Sequence, residues 1–247
     1  MRQQIPNIIT LLNLFLGCLA IVSCFQFGTI ASISESGEML IEIPEKLYLA
    51  SLFIGLAAVV DFLDGYVARL LNVPSEMGKQ LDSLADVVSF GVLPSVIVFQ
   101  LFKQSGTEIT WLPYLAFSIA VFSALRLAKF NVDTRQAENF IGLPTPANAL
   151  LFGSFPLIIA TDELGIGAVI QQPHVLAIFC VLMSALLVSE IPLFSLKFKQ
   201  LDSKENKFRI GFIILSLILF LLLKFAAVPF IIGVYILLSM IQTQLKK

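Results

Sequence analysis

Residues 59–90, VVDFLDGYVARLLNVPSEMGKQLDSLADVVSF, hold two apolar stretches that are joined by a short polar turn. Each stretch carries two aspartates, Asp61 and Asp64 in the first and Asp82 and Asp86 in the second. Residues three or four positions apart share one face of a helix, so each pair projects from a single face. Two neighbouring antiparallel helices can therefore aim both pairs at one pocket. The stretch predicts a cup of four carboxylates between two helices.

The composition of the chain indicates that these helices lie in lipid. Of 247 residues, 57% are hydrophobic and 13% are charged, whereas soluble domains average about 45–50% and about 25%. Cys18, Cys24 and Cys180 lie in apolar runs without the spacing of a zinc site, so we interpret them as small buried residues. A net charge of -1 shows no electrostatic footprint for nucleic acid, and we expect no such partner.

The apolar runs predict an all-α, polytopic transmembrane helix bundle in one membrane-embedded domain, 1–247. About 20 apolar residues cross ~30 Å of hydrocarbon. By this criterion we expect about eight helices, or six or seven if 144–161 or the final pair is misread. Lys224 lies between the last two apolar runs and indicates a tight hairpin there. The first run lacks a basic leader and a small-residue cleavage site, so we expect a retained helix. The predicted spans are 8–27, 47–71, 79–102, 110–130, 144–161, 174–196, 210–224 and 226–243.

The distribution of basic residues predicts the orientation. Cytoplasmic loops of membrane proteins are enriched in lysine and arginine. With a cytoplasmic N-terminus, only Lys46, Lys103 and Lys224 lie outside, while the outer side collects acids. We therefore expect a multi-pass protein of the inner (plasma) membrane with its aspartates at the cytoplasmic face. The residues assigned to the inner side are Arg2, Arg69, Lys79, Arg126, Lys129, Arg135, Lys197, Lys199, Lys204, Lys207, Arg209, Lys246 and Lys247; the outer acids are Glu35, Glu38, Glu42, Glu45, Glu108, Asp162 and Glu163.

The four aspartates require compensation, because a carboxylate at the centre of a membrane helix costs roughly 2.5–3.5 kcal/mol. Oxygen ligands without histidine or cysteine favour hard cations such as Mg²⁺, Mn²⁺ or Ca²⁺. Four carboxylates can hold two ions about 3.5–4 Å apart, an arrangement that stabilises phosphoryl transfer. Gly65, Ala68 and Gly78 leave room on the same faces for a large ligand. Arg69 can reach a phosphate with its planar guanidinium.

The spacing Asp61-x2-Asp64-Gly65-x2-Ala68-Arg69-x8-Gly78-x3-Asp82-x3-Asp86 is similar to the signature of the CDP-alcohol phosphatidyltransferase family. That resemblance implies an integral membrane enzyme that moves a phosphatidyl group from a CDP-activated lipid to an alcohol and releases CMP. It also implies a bundle of six core helices, commonly dimeric, with a metal site near the cytoplasmic boundary.

The resemblance assigns a role to each position of the signature. Asp61, Asp64 and Asp82 would be ligands of divalent metal, with two Mg²⁺ or Mn²⁺ ions as cofactors. Asp86 would contact the second metal and act as general base on the acceptor hydroxyl. The CDP moiety would lie against Gly65, Ala68, Arg69 and Gly78, with Asn7 and Thr10 of the first helix.

Longer stretches resemble the bacterial branch of this family that uses L-serine as the acceptor and CDP-diacylglycerol as the donor. These stretches are IPNIITLLNLFLGCLAIV, SLADVVSFGVLPS, ALRLAKFNVD and FIGLPTPANA. Recognition of serine needs an anchor for its carboxylate, and Arg126 can form a bidentate contact with one. Lys129, Asn131 and Thr145 are further candidates. The alternative is that Arg126 and Lys129 anchor the helix at the interface, and that Thr145 only begins a helix.

Two other functions are compatible with parts of this pattern. The first is the same chemistry with another acceptor, such as glycerol 3-phosphate, inositol phosphate or a second phospholipid. The second is a cation-coupled transporter, although transporters tend to place ion sites near the midplane and to contain repeated halves. Glu190 is expected to be solvated or paired with Lys197, and His174 to be structural.

Overall fold

The computed structural model describes residues 4–26, 46–73, 75–133, 140–162, 164–194 and 204–245. Within these residues the chain forms eight long helices, as the apolar runs predict. The predicted sixth span, 174–196, is too long, because the helix ends at Val188 and the chain then forms a short strand at Pro192–Leu193. The helices are α1 Gln4–Phe25, α2 Leu47–Leu70, α3 Glu76–Gln104, α4 Leu112–Val132, α5 Thr145–Thr161, α6 Pro173–Val188, α7 Lys204–Leu223 and α8 Ala227–Leu245. The all-α fold is therefore confirmed.

The outside of the bundle is apolar and includes Cys18, which is exposed and not buried as predicted, whereas Cys24 and Cys180 are buried. Large side chains such as Phe62, which is 65% exposed, and Leu222, which is 72% exposed, point away from the protein. Helices α1 to α4 and the segment Phe208–Gln242 are long and apolar enough to cross a membrane, while α5 and α6 are shorter apolar helices. The chain is thus a multi-pass membrane protein.

The segment that contains α7 and α8 is a hairpin. Lys224 has a φ of 47° and follows directly on the end of α7. The ring centroids of Phe212 and Tyr235 lie 5.7 Å apart, whereas a straight helix would separate these residues by about 35 Å. The chain therefore reverses at Lys224, as the sequence predicts.

Successive helices run in opposite directions through the bundle. The first residues of the odd-numbered helices and the last residues of the even-numbered helices therefore lie at the same end. Lys79 Nζ, in the first turn of α3, donates to the carbonyl of Asn131 at the end of α4, 3.1 Å away. Before α5, the strand β1 (Phe140–Ile141) pairs antiparallel with β2 (Pro192–Leu193), which follows α6. The aspartates lie at this end of the bundle.

The described basic residues separate between the two ends as the charge pattern predicts. At the end opposite the aspartates, Lys46 Nζ donates to Gln26 Oε1 over 3.0 Å. Which side of a membrane each end faces stays a prediction. Part of the charge pattern lies outside the described residues: Arg2, Glu35, Glu38, Glu42, Glu45, Arg135, Glu163, Lys197, Lys199, Lys246 and Lys247, together with the side chains of Lys204 and Lys207.

Helix α3 widens next to the aspartates. Residues Val87–Val92, directly after Asp86, form a π-helical turn, a feature that is frequent at functional sites. The serine within this turn, Ser89, donates from Oγ to the carbonyl of Asn13 on α1, 3.1 Å away. A Cβ on Gly17 of α1 would lie 2.5 Å from Ser89 Oγ, so glycine permits the close approach of α1 to α3.

Candidate active site

Three of the four predicted aspartates form a compact cluster. Asp61, Asp64 and Asp82 each contribute one carboxylate oxygen, and these three oxygens lie within 4.8 Å of one another. Helix α2 supplies the first two from one face, and the first turns of α3 supply the third. Asp64 is buried, and the other two are partly exposed. The predicted convergence of two neighbouring helices is therefore present.

Asp86 lies beside this cluster, one helical turn further along α3 than Asp82. Its side chain is buried and interacts electrostatically with Asp61, Asp82 and Asp64. Its Oδ1 atom has no hydrogen-bond partner among the described residues. A buried polar atom without a partner costs about 1–3 kcal/mol, so Asp86 is suited to bind a ligand there.

The chemistry of this cluster fits divalent cations. All four groups offer carboxylate oxygens, the ligands that hard cations prefer. Arg126 interacts electrostatically with Asp86, but the single positive charge of one arginine does not balance four carboxylates that repel one another. Bound divalent cations would supply the remaining positive charge.

Thr10 of α1 orients one of these carboxylates. Its Oγ1 donates to Asp64 Oδ2 over 2.5 Å, with the carbonyl of Pro6 at 3.1 Å as the alternative acceptor. Both side chains are buried, with Thr10 4% exposed and Asp64 5% exposed. The sequence predicted only that Thr10 lines the CDP moiety. This hydrogen bond gives Thr10 a second role, which is to orient the carboxylate of Asp64, a predicted metal ligand.

A cavity of about 230 Å³ lies next to the cluster, between α1, α2 and the beginning of α3. It contains five of the six residues predicted to line the CDP moiety. The sixth, Arg69, is exposed and absent from the wall, but its guanidinium lies 3.8 Å from the place of a Cβ on Gly65. The sequence missed Ser75 and Lys79. The full wall is Pro6, Asn7, Thr10, Asp64, Gly65, Ala68, Val73, Ser75, Gly78, Lys79 and Asp82.

Gly78 allows the backbone of α3 to approach α1. Its N–H donates to the side chain of Ser75, which caps α3, over 3.0 Å. A Cβ at Gly78 would lie 3.0 Å from Ser75 Oγ and 3.1 Å from Asn7 Oδ1. Glycine thus keeps both polar groups in the cavity wall in place.

The residues predicted to bind serine lie in two different settings. Arg126 is buried, its Nη1 donates to Thr145 Oγ1 over 3.4 Å, and it interacts electrostatically with Asp86. Asn131 instead donates from Nδ2 to Ser83 Oγ over 2.7 Å, a contact that joins α4 to α3. Arg126 and Thr145 are therefore brought together beside the acidic cluster, while Asn131 contributes to helix packing.

A second cavity, of about 240 Å³, opens between the end of α4, β1 and the end of α6. Glu190 belongs to its wall, a position that the sequence did not indicate because it depends on the pairing of β1 with β2. His174, by contrast, begins α6 at the opposite end of the bundle, far from the acids. The full wall is Arg126, Lys129, Val132, Asp133, Ile141, Leu187, Val188, Ser189 and Glu190.

Comparison with known proteins identifies the same family as the spacing of the aspartates does. Residues 3–188 match the family model described as CDP-alcohol phosphatidyltransferase. A Bacillus subtilis protein named CDP-diacylglycerol–serine O-phosphatidyltransferase is 34% identical over 181 residues, which cover 70% of this chain and 91% of that protein.

Two further relatives carry the same name. The Saccharomyces cerevisiae protein is 39% identical over 160 residues, 61% of this chain and 52% of that protein. The Helicobacter pylori protein (strain J99) is 35% identical over 154 residues, 59% of this chain and 54% of that protein. The chain thus spans about half the length of these two relatives and nearly all of the Bacillus relative. It belongs to the CDP-alcohol phosphatidyltransferase family.

Proposed function

We propose that this protein transfers the phosphatidyl group of CDP-diacylglycerol to the hydroxyl of L-serine, giving phosphatidylserine and CMP. The observation that carries the proposal is the convergence of the aspartates beside a cavity that the family's small residues line. The shared name of the relatives supports serine as the acceptor.

Two divalent cations, Mg²⁺ or Mn²⁺, would be held by Asp61, Asp64, Asp82 and Asp86. When bound, such ions neutralise the charge of a pyrophosphate and of the leaving phosphate. Thr10 contributes by fixing the orientation of the Asp64 carboxylate. Hydrogen-bonded partners of metal ligands commonly have this role.

The cavity of about 230 Å³ between α1, α2 and the beginning of α3, from here on called the nucleotide cavity, would bind the donor. Asn7 and Gly78 lie next to each other in its wall, and Gly65 and Ala68 let the ligand approach the backbone of α2. Lys79 is a cation in the wall that can contact a phosphate. The acyl chains remain in the bilayer, which explains a site at the end of the bundle.

Asp86 would act as the general base. The serine oxygen attacks the β-phosphorus, the one that bears the acyl glycerol, while its proton passes to the Asp86 carboxylate. The bond from this phosphorus to the oxygen shared with the α-phosphate breaks, and CMP leaves with that electron pair. Arg126, beside Asp86, would contact the serine carboxylate, together with Lys129 and Thr145. Holding both reactants in this geometry accounts for much of such catalysis.

We further propose that the reaction takes place at the cytoplasmic face of the plasma membrane. We also propose that the chain forms one catalytic domain and that it assembles as a homodimer. The cytoplasm supplies the water-soluble acceptor and receives CMP. The basic residues that line this end of the bundle, including Lys79 and Lys129, favour the same orientation.

The purified protein in detergent tests the proposal directly. We expect CMP release from CDP-diacylglycerol that needs both L-serine and Mg²⁺ or Mn²⁺, with phosphatidylserine as the lipid product. Glycerol 3-phosphate, inositol phosphate and a phospholipid acceptor serve as competing alcohols. If the protein prefers one of these alcohols, that alcohol and not serine is the acceptor. Metal-dependent ion uptake without CMP release would contradict the proposal that the protein is an enzyme.

A further inference from the structure

The second cavity is distinct from the nucleotide cavity. It lies against α4, β1 and the residues that follow α6, and no described residue belongs to both walls. Two backbone hydrogen bonds hold β1 and its neighbours against the end of α6: Gly142 N to Ile191 O over 2.9 Å, and Leu143 N to Leu186 O over 3.0 Å. The cavity is therefore a built feature of this end of the bundle.

The wall of this cavity carries both signs of charge. Arg126 and Lys129, three positions apart on α4, supply two cations. Asp133, after the end of α4, and Glu190, after the end of α6, supply two carboxylates. A free amino acid carries an anionic carboxylate and a cationic ammonium, so its two charges match this wall. A phosphorylated alcohol without an amino group would offer no cationic group to the two acids.

The cavity also adjoins the reacting groups. Arg126 lines it, is only 6% exposed, and interacts electrostatically with Asp86. Thr145, fully buried, accepts the hydrogen bond of Arg126 Nη1. An acceptor whose carboxylate contacts Arg126 from this cavity is thereby placed next to the proposed general base.

We propose that this second cavity binds the acceptor as a zwitterion, with Glu190 and Asp133 contacting the ammonium and with Arg126 and Lys129 contacting the carboxylate. Glu190 is then a specificity-determining residue that selects an amino-acid alcohol over an alcohol without an amino group. This inference rests on the proposed function, since it names the groups that recognise the acceptor of that reaction.

The test uses three acceptors with the full-length protein in detergent, CDP-diacylglycerol and Mn²⁺. L-serine has both charges, glycerate lacks the ammonium, and ethanolamine lacks the carboxylate. The variants are Glu190→Gln, Asp133→Asn and Lys129→Gln, with Glu108→Gln, an exposed acid at the opposite end, as the control. CMP release gives KM and kcat for each pair.

We expect Glu190→Gln to raise the KM for serine about tenfold, because a neutral amide replaces the carboxylate and the hydrogen bond from the ammonium loses its charge assistance. The KM for glycerate should stay within twofold of the parent value, as should the KM for CDP-diacylglycerol and the kcat at saturating serine. Asp133→Asn should act in the same direction. Lys129→Gln should raise the KM for serine and glycerate but not for ethanolamine, and Glu108→Gln should change nothing.

Two results would overturn the inference while the proposed function stands. One is an unchanged KM for serine in both acid variants of a protein that makes phosphatidylserine. The other is an equal rise of KM for serine and glycerate, which shows that Glu190 acts on the structure and not on the ammonium. A parent protein that releases no CMP with serine would instead refute the proposed function itself.

Discussion

Thr10→Val removes the hydrogen bond to Asp64 and keeps the shape of the side chain. In the parent protein the Oγ1 to Oδ2 distance is 2.5 Å and both groups are buried. A hydrogen bond to a charged group contributes about 1.5–3 kcal/mol to stability. Because the bond orients a proposed metal ligand, its loss should weaken metal binding by about 10- to 100-fold.

The assay is CMP release at saturating CDP-diacylglycerol and serine, titrated with Mn²⁺ or Mg²⁺. We expect the half-activating metal concentration of Thr10→Val to rise by that factor, and Thr10→Ser, which keeps the hydroxyl, to stay near the parent. Thr161→Val is the matched control, because Thr161 Oγ1 donates to Leu157 O over 2.9 Å at the exposed, opposite end of α5.

One outcome would refute the reasoning. If Thr10→Val folds, needs no more metal than the parent, and differs only in its KM for CDP-diacylglycerol, then Thr10 serves the nucleotide and does not orient Asp64.

Three further predictions concern the same end of the bundle. Asp86→Asn should lower kcat about 10²- to 10⁴-fold while the protein still purifies from the membrane, and near-normal turnover would exclude Asp86 as general base. Gly78→Ala should raise the KM for CDP-diacylglycerol about tenfold, because the new Cβ lies 3.1 Å from Asn7 Oδ1, and an unchanged KM would separate Gly78 from the nucleotide. Gly142→Ala should lower the thermal midpoint in detergent more than Gly106→Ala does. Both glycines have a positive φ, 76° and 66°, but of the two only Gly142 would place a Cβ 2.5 Å from a backbone oxygen. Equal midpoints of the two variants would contradict this reasoning.

The aspartate cluster was predictable because it depends mostly on local geometry. Asp61 and Asp64 share a face of any α-helix at that spacing, and a turn of a few residues leaves α3 antiparallel to α2. The eight apolar runs are equally local, since the length of each run reflects the thickness of the bilayer. The sequence therefore predicted both the bundle and the three closest acids.

The features that the sequence missed depend on contacts between distant segments. Two-residue strands have no hydrophobic periodicity, so the pairing of Ile141 with Pro192 leaves no local signal. The π-helical turn after Asp86 belongs to the region where α3 packs closely on α1 and α4. The place of Glu190 in a cavity wall follows from the strand pairing and not from its neighbours in sequence.

The two cavities differ in how much of their wall lies within residues 3–188, the part that matches the family model. The wall of the first cavity lies entirely within it. Seven of the nine residues that line the second cavity also do, but Ser189 and Glu190 lie just beyond it, and the described residues of α7 and α8 line neither cavity. If the first cavity binds the CDP group and the second binds the acceptor, as proposed, then Glu190 completes the acceptor site from outside the part that matches the family model. Such an arrangement would allow the acceptor to change while the reacting groups stay the same.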